Sequence, residues 1–303
     1  METYFYAKMK TLSKNAVIGY PAGIITGVTY GLNPLFAVPL MRNGVATESI
    51  LFFRYLFAVL ILGAFLLLGR HSFKVSAKQA GILLALGLFY SSGSLFLFEA
   101  YKYIASGLAT TLVFLYPVLV AIIMVFLKVV PSWPVWLSIA ATFGGVLIMT
   151  RSGSAQTIDP VGVVLSLVSA ATYALFIVVI NRSKAIAGIS NTLLTFYSLC
   201  VGTVIFLGRI VIADTAVADG IAGSDWLNLA GLALLPTIVS TTTLAIATRN
   251  IGATKASVLG VFEPITAILV GTLMFGEALT TNIVVGIAVA TAAVTFMIAV
   301  TKR

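Results

Sequence analysis

Apolar residues run through the chain in blocks separated by short charged or turn-forming stretches. The blocks fall at 17–41, 47–69, 79–101, 106–128, 133–151, 160–181, 190–213, 226–248, 254–275 and 280–300. Each is close to the roughly 20 residues that carry a helix across a bilayer core, and far longer than a membrane strand. The pattern predicts an all-α integral membrane protein with ten transmembrane helices.

The blocks repeat. Ile104-Ala105-Ser106-Gly107-Leu108-Ala109, followed by Leu112 and Pro117, matches Ile251-Gly252-Ala253-Thr254-Lys255-Ala256, followed by Leu259 and Pro264. The offset is 264 − 117 = 147 positions, which sets Tyr116 against Glu263 and Thr110 against Ser257. Nearer the start of each half, Thr29-Tyr30 matches Thr172-Tyr173 and Arg54 falls on Tyr197, an offset of 197 − 54 = 143. Two repeats follow, 1–151 and 152–303. Five helices per repeat is an odd number, so the second repeat is expected to enter the membrane inverted, a transporter design with substrate near the midplane.

Charge sets the orientation. Lys8, Lys10, Lys14, Arg70, Lys74, Lys78, Lys128, Arg182, Lys184, Arg249, Lys255, Lys302 and Arg303 share one side when the amino terminus is cytoplasmic. The other side keeps Arg42, Lys102, Arg151 and Arg209 with most of the acids, so both termini are expected in the cytoplasm. The first apolar block follows a basic stretch as a signal peptide would, but it is too long and no small-residue cleavage site follows; it is expected to stay as the first span.

Composition narrows the function. The chain has 303 residues, 60% hydrophobic and 9% charged, with a mean hydropathy of +1.11. The net charge of +9 lies at helix ends and forms no continuous basic groove, so lipid is the expected partner and nucleic acid is not. Cys200 is the one cysteine, which excludes an internal disulfide, and His71 stands alone beside Arg70 in a basic loop. There is no phosphate loop, no histidine pair at metal spacing and no nucleophile with a histidine base in the apolar blocks. No enzyme and no cofactor is expected.

Polar residues inside the blocks are the candidate site. Gly19, Gly23, Gly27 and Gly31 form a stripe expected to bring a second helix close. Thr26, Tyr30 and Asn33 lie on a neighbouring face, ahead of Pro34, which frees a backbone carbonyl one turn earlier. The sixth helix offers Ser169, Tyr173 and Phe176; the third offers Tyr90, Ser94 and Tyr101 against Thr237, Thr241 and Thr248 of the eighth. Tyr116 and Gly260 join this cavity set.

Among the charges inside the blocks, three bear on the candidate site. Arg54 and Glu99 reach similar depth from the outer side, so either they pair or they face a wet vestibule. Glu263 stands near the midplane, where an ionised unpaired acid costs about 2.5–3.5 kcal/mol. It either carries a proton, binds a substrate amine, or is a protonated acid bonded to a neighbouring helix.

The runs "GLATTLVFLYPVLVAIIMVFL" and "TKASVLGVFEPITAILVGTLMFGEALT", with a glycine-rich closing helix in each half, resemble the drug/metabolite transporter superfamily, in particular its EamA-domain exporters. The second half fits well, including Pro264 and Gly276-Glu277; the first departs where Lys128-Val129-Val130-Pro131 stands in place of the usual Gly-Glu. The resemblance implies cytoplasmic termini and a central cavity lined by helices one, three, four, six, eight and nine, with the fifth and tenth behind. It also implies an inner-membrane carrier of amino acids or related small metabolites, usually outward. A homodimer through the fifth and tenth helices is a further expectation. The competing classes are a passive channel, which would show a ring of like charges, and a multi-span scaffold, which needs neither internal symmetry nor a midplane acid.

Overall fold

The computed structural model describes residues 2–104, 106–150, 159–213, 217–218, 220–275 and 280–301; Asp214, Asp219, Arg151 and Gly276-Glu277 lie outside them. The helices are α1 (Glu2–Tyr30), α2 (Asn33–Arg42), α3 (Thr47–Leu68), α4 (Ala77–Ala100), α5 (Ser106–Val113), α6 (Tyr116–Phe126) and α7 (Trp133–Thr150). They continue as α8 (Pro160–Arg182), α9 (Asn191–Ile212), α10 (Asp225–Ala233), α11 (Ser240–Ile251), α12 (Ala253–Val258), α13 (Phe262–Phe275) and α14 (Thr281–Thr301). No strand occurs among the described residues. Eight helical runs are long and apolar enough to cross a membrane, which makes this a multi-pass membrane protein.

Four of those runs are not continuous helices, contrary to the unbroken helices that the apolar blocks suggest. Three breaks fall just ahead of a proline: α1 gives way to α2 before Pro34, α5 to α6 before Pro117, and α12 to α13 before Pro264 through a 3-10 turn at Leu259–Val261. In the fourth, α10 joins α11 through a π turn at Leu234–Val239 that contains Pro236. Proline removes a donor and crowds the preceding turn, so each break is the local consequence of one residue.

The ends are set by short-range chemistry. Ser76 and Gln79 cap α4 reciprocally, Asp159 accepts from the Val161 amide at the start of α8, and Ser190 does the same for Leu193 in α9. Lys128 closes α6 with φ 62°. The turn that lacks the expected glycine therefore keeps the left-handed backbone that glycine favours.

Between the halves, α1 packs on α11 and α4 on α8, α1 on α13 and α6 on α8, α3 on α9, and α7 on α14. Exchanging the two matched halves of the sequence maps this set of contacts onto itself. The glycine stripe that begins in α1 lies against the end of α11, the 3-10 turn at Leu259–Val261 and the start of α13. A Cβ at Gly27 would stand 2.7 Å from the Phe262 Cβ, and one at Gly31 would stand 2.5 Å from the Glu263 carbonyl oxygen. A Cβ at Gly145 would meet the Gly286 carbonyl at 2.8 Å, so α7 and α14 are equally close.

On the side that the charge bias assigns to the cytoplasm, the loops are tied together. Arg249 donates to the carbonyls of Ile189 at 2.6 Å and Ile186 at 2.9 Å, Gln79 to that of Ala185, Tyr197 to that of Phe73, and Asn181 to that of Thr248.

Candidate functional site

The helix breaks place the polar residues. Pro34 leaves the carbonyl of Tyr30 without its helical donor, and the Asn33 side-chain amide fills the gap at 2.8 Å. Asn33 is thus largely committed to the backbone, although its Oδ1 is buried with no partner among the described residues. Pro236 likewise leaves the Leu232 carbonyl free, and the Thr237 hydroxyl donates to it at 2.8 Å. In lipid these substitutions are obligatory, because water is not there to do the work.

Tyr116 and Glu263 stand at the first turns of α6 and α13, one residue before Pro117 and Pro264. The Tyr116 hydroxyl donates to Glu263 Oε1 at 3.0 Å, and Glu263 is 1% exposed. Gly260 makes the approach feasible, since a Cβ there would overlap the Tyr116 hydroxyl. An aromatic series leads away from this pair: Tyr116 meets Tyr173 edge to face with centroids 4.7 Å apart, and Tyr173 stacks on Tyr30 at 5.6 Å. Phe176 lies beyond, 6.4 Å from Tyr173 and 5.2 Å from Tyr90.

At the far end of the series is Arg54, which is 0% exposed. Its Nε donates to the Thr237 hydroxyl at 2.5 Å, and its Nη2 lies 3.3 Å from the Pro236 carbonyl and 3.5 Å from the Tyr90 hydroxyl. Its guanidinium carbon sits 5.9 Å from the Tyr55 ring centre and 5.6 Å from that of Phe98. Tyr90 also accepts from Thr241 at 2.8 Å, and Tyr55 shares a 2.8 Å hydrogen bond with Ser94.

Of the two alternatives for Arg54 and Glu99, the ion pair does not occur. Glu99 bonds Lys102 at 2.7 Å, its side chain 23% exposed. Lys102, in the turn just past the end of α4, instead holds the acid near the surface. Thr26 also lies apart from the aromatic series: its hydroxyl bonds the Ala22 carbonyl and the Thr243 hydroxyl, both at 2.8 Å, where α1 crosses α11.

The structure therefore brings Tyr30, Tyr90, Tyr116, Tyr173, Phe176, Thr237, Thr241, Gly260, Glu263 and Arg54 into one connected interior, with Asn33 and Ser94 at its edge. Sequence reasoning missed Tyr55, Phe98 and Pro236. Pro236 carried a readable signal, being a proline inside an apolar block like Pro34 and Pro264. The arrangement sets one buried acid and one buried cation apart, with aromatic faces and hydroxyls between them.

Comparison with known proteins follows the same lines. No curated protein matches the sequence significantly. A crystal structure 15% identical in sequence superposes with a TM-score of 0.75, covering 96% of this chain and 99% of the other, and shares the fold. The model of the EamA-like transporter family matches twice, over residues 17–151 and 160–299. Those two matches cover nearly the whole chain, and the protein belongs to the EamA-like transporter family of the drug/metabolite transporter superfamily.

Proposed function

We propose that the protein is a secondary transporter that moves a small metabolite, such as an amino acid or related compound, outward across the inner membrane by alternating access. Its ten spans form two inverted five-helix repeats, with both termini in the cytoplasm, α7 and α14 as the fifth and tenth spans, and a homodimer formed through that pair. Glu263 takes part in the cycle, by exchanging a proton or by receiving a substrate amine.

The observation that carries this reading is the Tyr116–Glu263 hydrogen bond. The two residues occupy the same position in the two repeats, and equivalent residues touch only beside the axis that relates the repeats. The Tyr30–Tyr173 stack, also between equivalent positions, supports the same axis. An inverted repeat places substrate on that axis, at helices interrupted near the midplane, and the helices here are interrupted beside Tyr30, Tyr116 and Glu263. Tyr116 donates to Glu263, so a proton or a substrate ammonium reaching the carboxyl competes with a bond that joins the two halves.

The test is counterflow of labelled amino acids and related metabolites in proteoliposomes, with and without a pH gradient. Saturable exchange of a panel member is expected. With that substrate, Glu263→Gln abolishes pH-driven accumulation and spares exchange when the acid carries a proton, and lowers both when it binds an amine. Normal activity of Glu263→Gln in both regimes would remove the acid from the cycle, and flux without counterflow would sink the carrier reading in favour of a channel.

A further inference from the structure

Arg54 is the least explained charge in the protein. It is 0% exposed, and the ion pairs among the described residues are Lys102–Glu99 and Arg209–Glu48, neither of which includes it. A guanidinium has five N–H donors and stays protonated. Nε is used by Thr237, and Nη2 makes long contacts to Pro236 and Tyr90. Nη1 is buried with no hydrogen-bond partner among the described residues. The hydroxyl, the carbonyl and the two aromatic faces around it are all neutral. They orient the cation without cancelling its charge, and an uncancelled charge at membrane depth is costly.

If Arg54 served only to hold the π turn, it would be a poor choice. A neutral donor could reach the Pro236 carbonyl without bringing a full charge and two unused N–H groups into the interior. The guanidinium suits a different partner, one that brings an acceptor of opposite charge to Nη1 and leaves again. Tyr90, beside Arg54, packs on Phe176, Phe176 on Tyr173 and Tyr173 on Tyr116, the donor to Glu263, so the cation belongs to the same interior as the acid.

We propose that Arg54 receives a carboxylate of the transported compound. This deepens the carrier reading above and rests on it. A single buried cation matches a single negative charge, and the planar fork of the guanidinium matches a planar carboxylate. A dianionic phosphate would call for further cations, and among the described residues no other lysine or arginine is buried with Arg54. The substrate class is a small organic acid or zwitterion whose apolar body lies against Tyr90, Phe176, Tyr173 and Tyr30. In the zwitterionic case, an ammonium falls toward Glu263.

The test measures thermal stabilisation of the purified full-length protein by the twenty common amino acids and by benzoate, acetate and succinate, each beside its carboxamide. Sodium chloride and inorganic phosphate form separate arms. At least one acid is expected to stabilise the protein while its amide does not. Binding of that acid should weaken at least tenfold in Arg54→Lys, which keeps the charge and loses the fork, and vanish in Arg54→Gln. The acid–amide comparison uses the unaltered protein and stands even when a variant fails to fold. Amides that stabilise as well as their acids, a panel with no acid-dependent shift, or a shift reproduced by chloride or phosphate each overturn the proposal. Counterflow separates the two readings: exchange of compounds that lack a carboxylate sinks the role of Arg54 and leaves the carrier standing. An acid that binds through Arg54 yet is never exchanged does the reverse.

Discussion

Replacing Gly31 with alanine adds one methyl group at the tightest backbone contact of the α1 glycine stripe. The new Cβ would lie 2.5 Å from the Glu263 carbonyl oxygen and 2.6 Å from the Thr266 Cβ, where ordinary contact begins at 3.4 Å. The chain must therefore open by about 0.9 Å, and the neighbour in the way is backbone, which cannot rotate aside as the Leu259 side chain can opposite Gly23. Overpacking of this kind costs about 1–3 kcal/mol. Gly81→Ala is the control: it lies in α4 with open space around it, and alanine there should gain about 0.5–1 kcal/mol of helix stability. The two variants should then differ by roughly 1.5–4 kcal/mol. Equilibrium unfolding in mixed micelles titrated with sodium dodecyl sulfate measures the difference. Transport should also fall in Gly31→Ala, because the displaced backbone is that of Glu263. Equal stability of the two alanine variants would refute the close packing of α1 on α13.

Other outcomes are accessible to the same methods. Thr237→Val removes the donor to the Leu232 carbonyl and the acceptor of Arg54 Nε, and should cost about 1–3 kcal/mol, whereas Thr29→Val, half-buried and bonded only within its own helix, should be near neutral. Lys128→Gly should gain about 1 kcal/mol, since φ 62° is strained for lysine and open to glycine; a loss of stability would mean that the lysine side chain holds the turn. With Cys200 replaced, cysteines at Lys74 and Lys184 should be shielded from an impermeant thiol reagent outside intact cells, and one at Tyr103 should react. Labelling at Lys184 would overturn the inverted arrangement.

The sequence was most informative where a single period or offset decided the matter. The four-residue glycine spacing of α1 marked a close contact, and the structure supplies its partner in the end of α11, the 3-10 turn at Leu259–Val261 and the start of α13. The 147-residue offset that aligned Tyr116 with Glu263 also turned out to be the separation of two residues in contact. What stayed hidden was direction around a helix axis and the fate of freed carbonyls. Counting residues along a helix says nothing of azimuth, which depends on how neighbouring helices cross, so the partner of Arg54 could not be read from spacing. Asn33 reads from its spacing as a cavity residue. Its amide is instead consumed by the carbonyl that Pro34 releases, a cost visible only once the helix breaks. The π turn at Leu234–Val239 follows the same rule, with Pro236 releasing a carbonyl and Thr237 taking it up.

The two halves share a scaffold and differ in charge. Exchanging them maps Tyr116 onto Glu263, Tyr30 onto Tyr173 and Arg54 onto Tyr197, so the aromatic stack has a copy of itself while neither buried charge does. Tyr197 donates to the Phe73 carbonyl at 2.6 Å and belongs to the tied loops, whereas Arg54 sits in the aromatic interior. On the inverted-repeat reading, equal halves would give inward-open and outward-open states of equal energy, each the mirror of the other in connectivity. The acid and the cation break that equality, because each gains or loses neighbours differently as the halves trade conformations. Ligands that neutralise them then change the balance between the two states by the difference in their affinity for each. On the proposed reading, the charges that the repeat fails to duplicate are therefore where substrate binding and direction of transport would be joined.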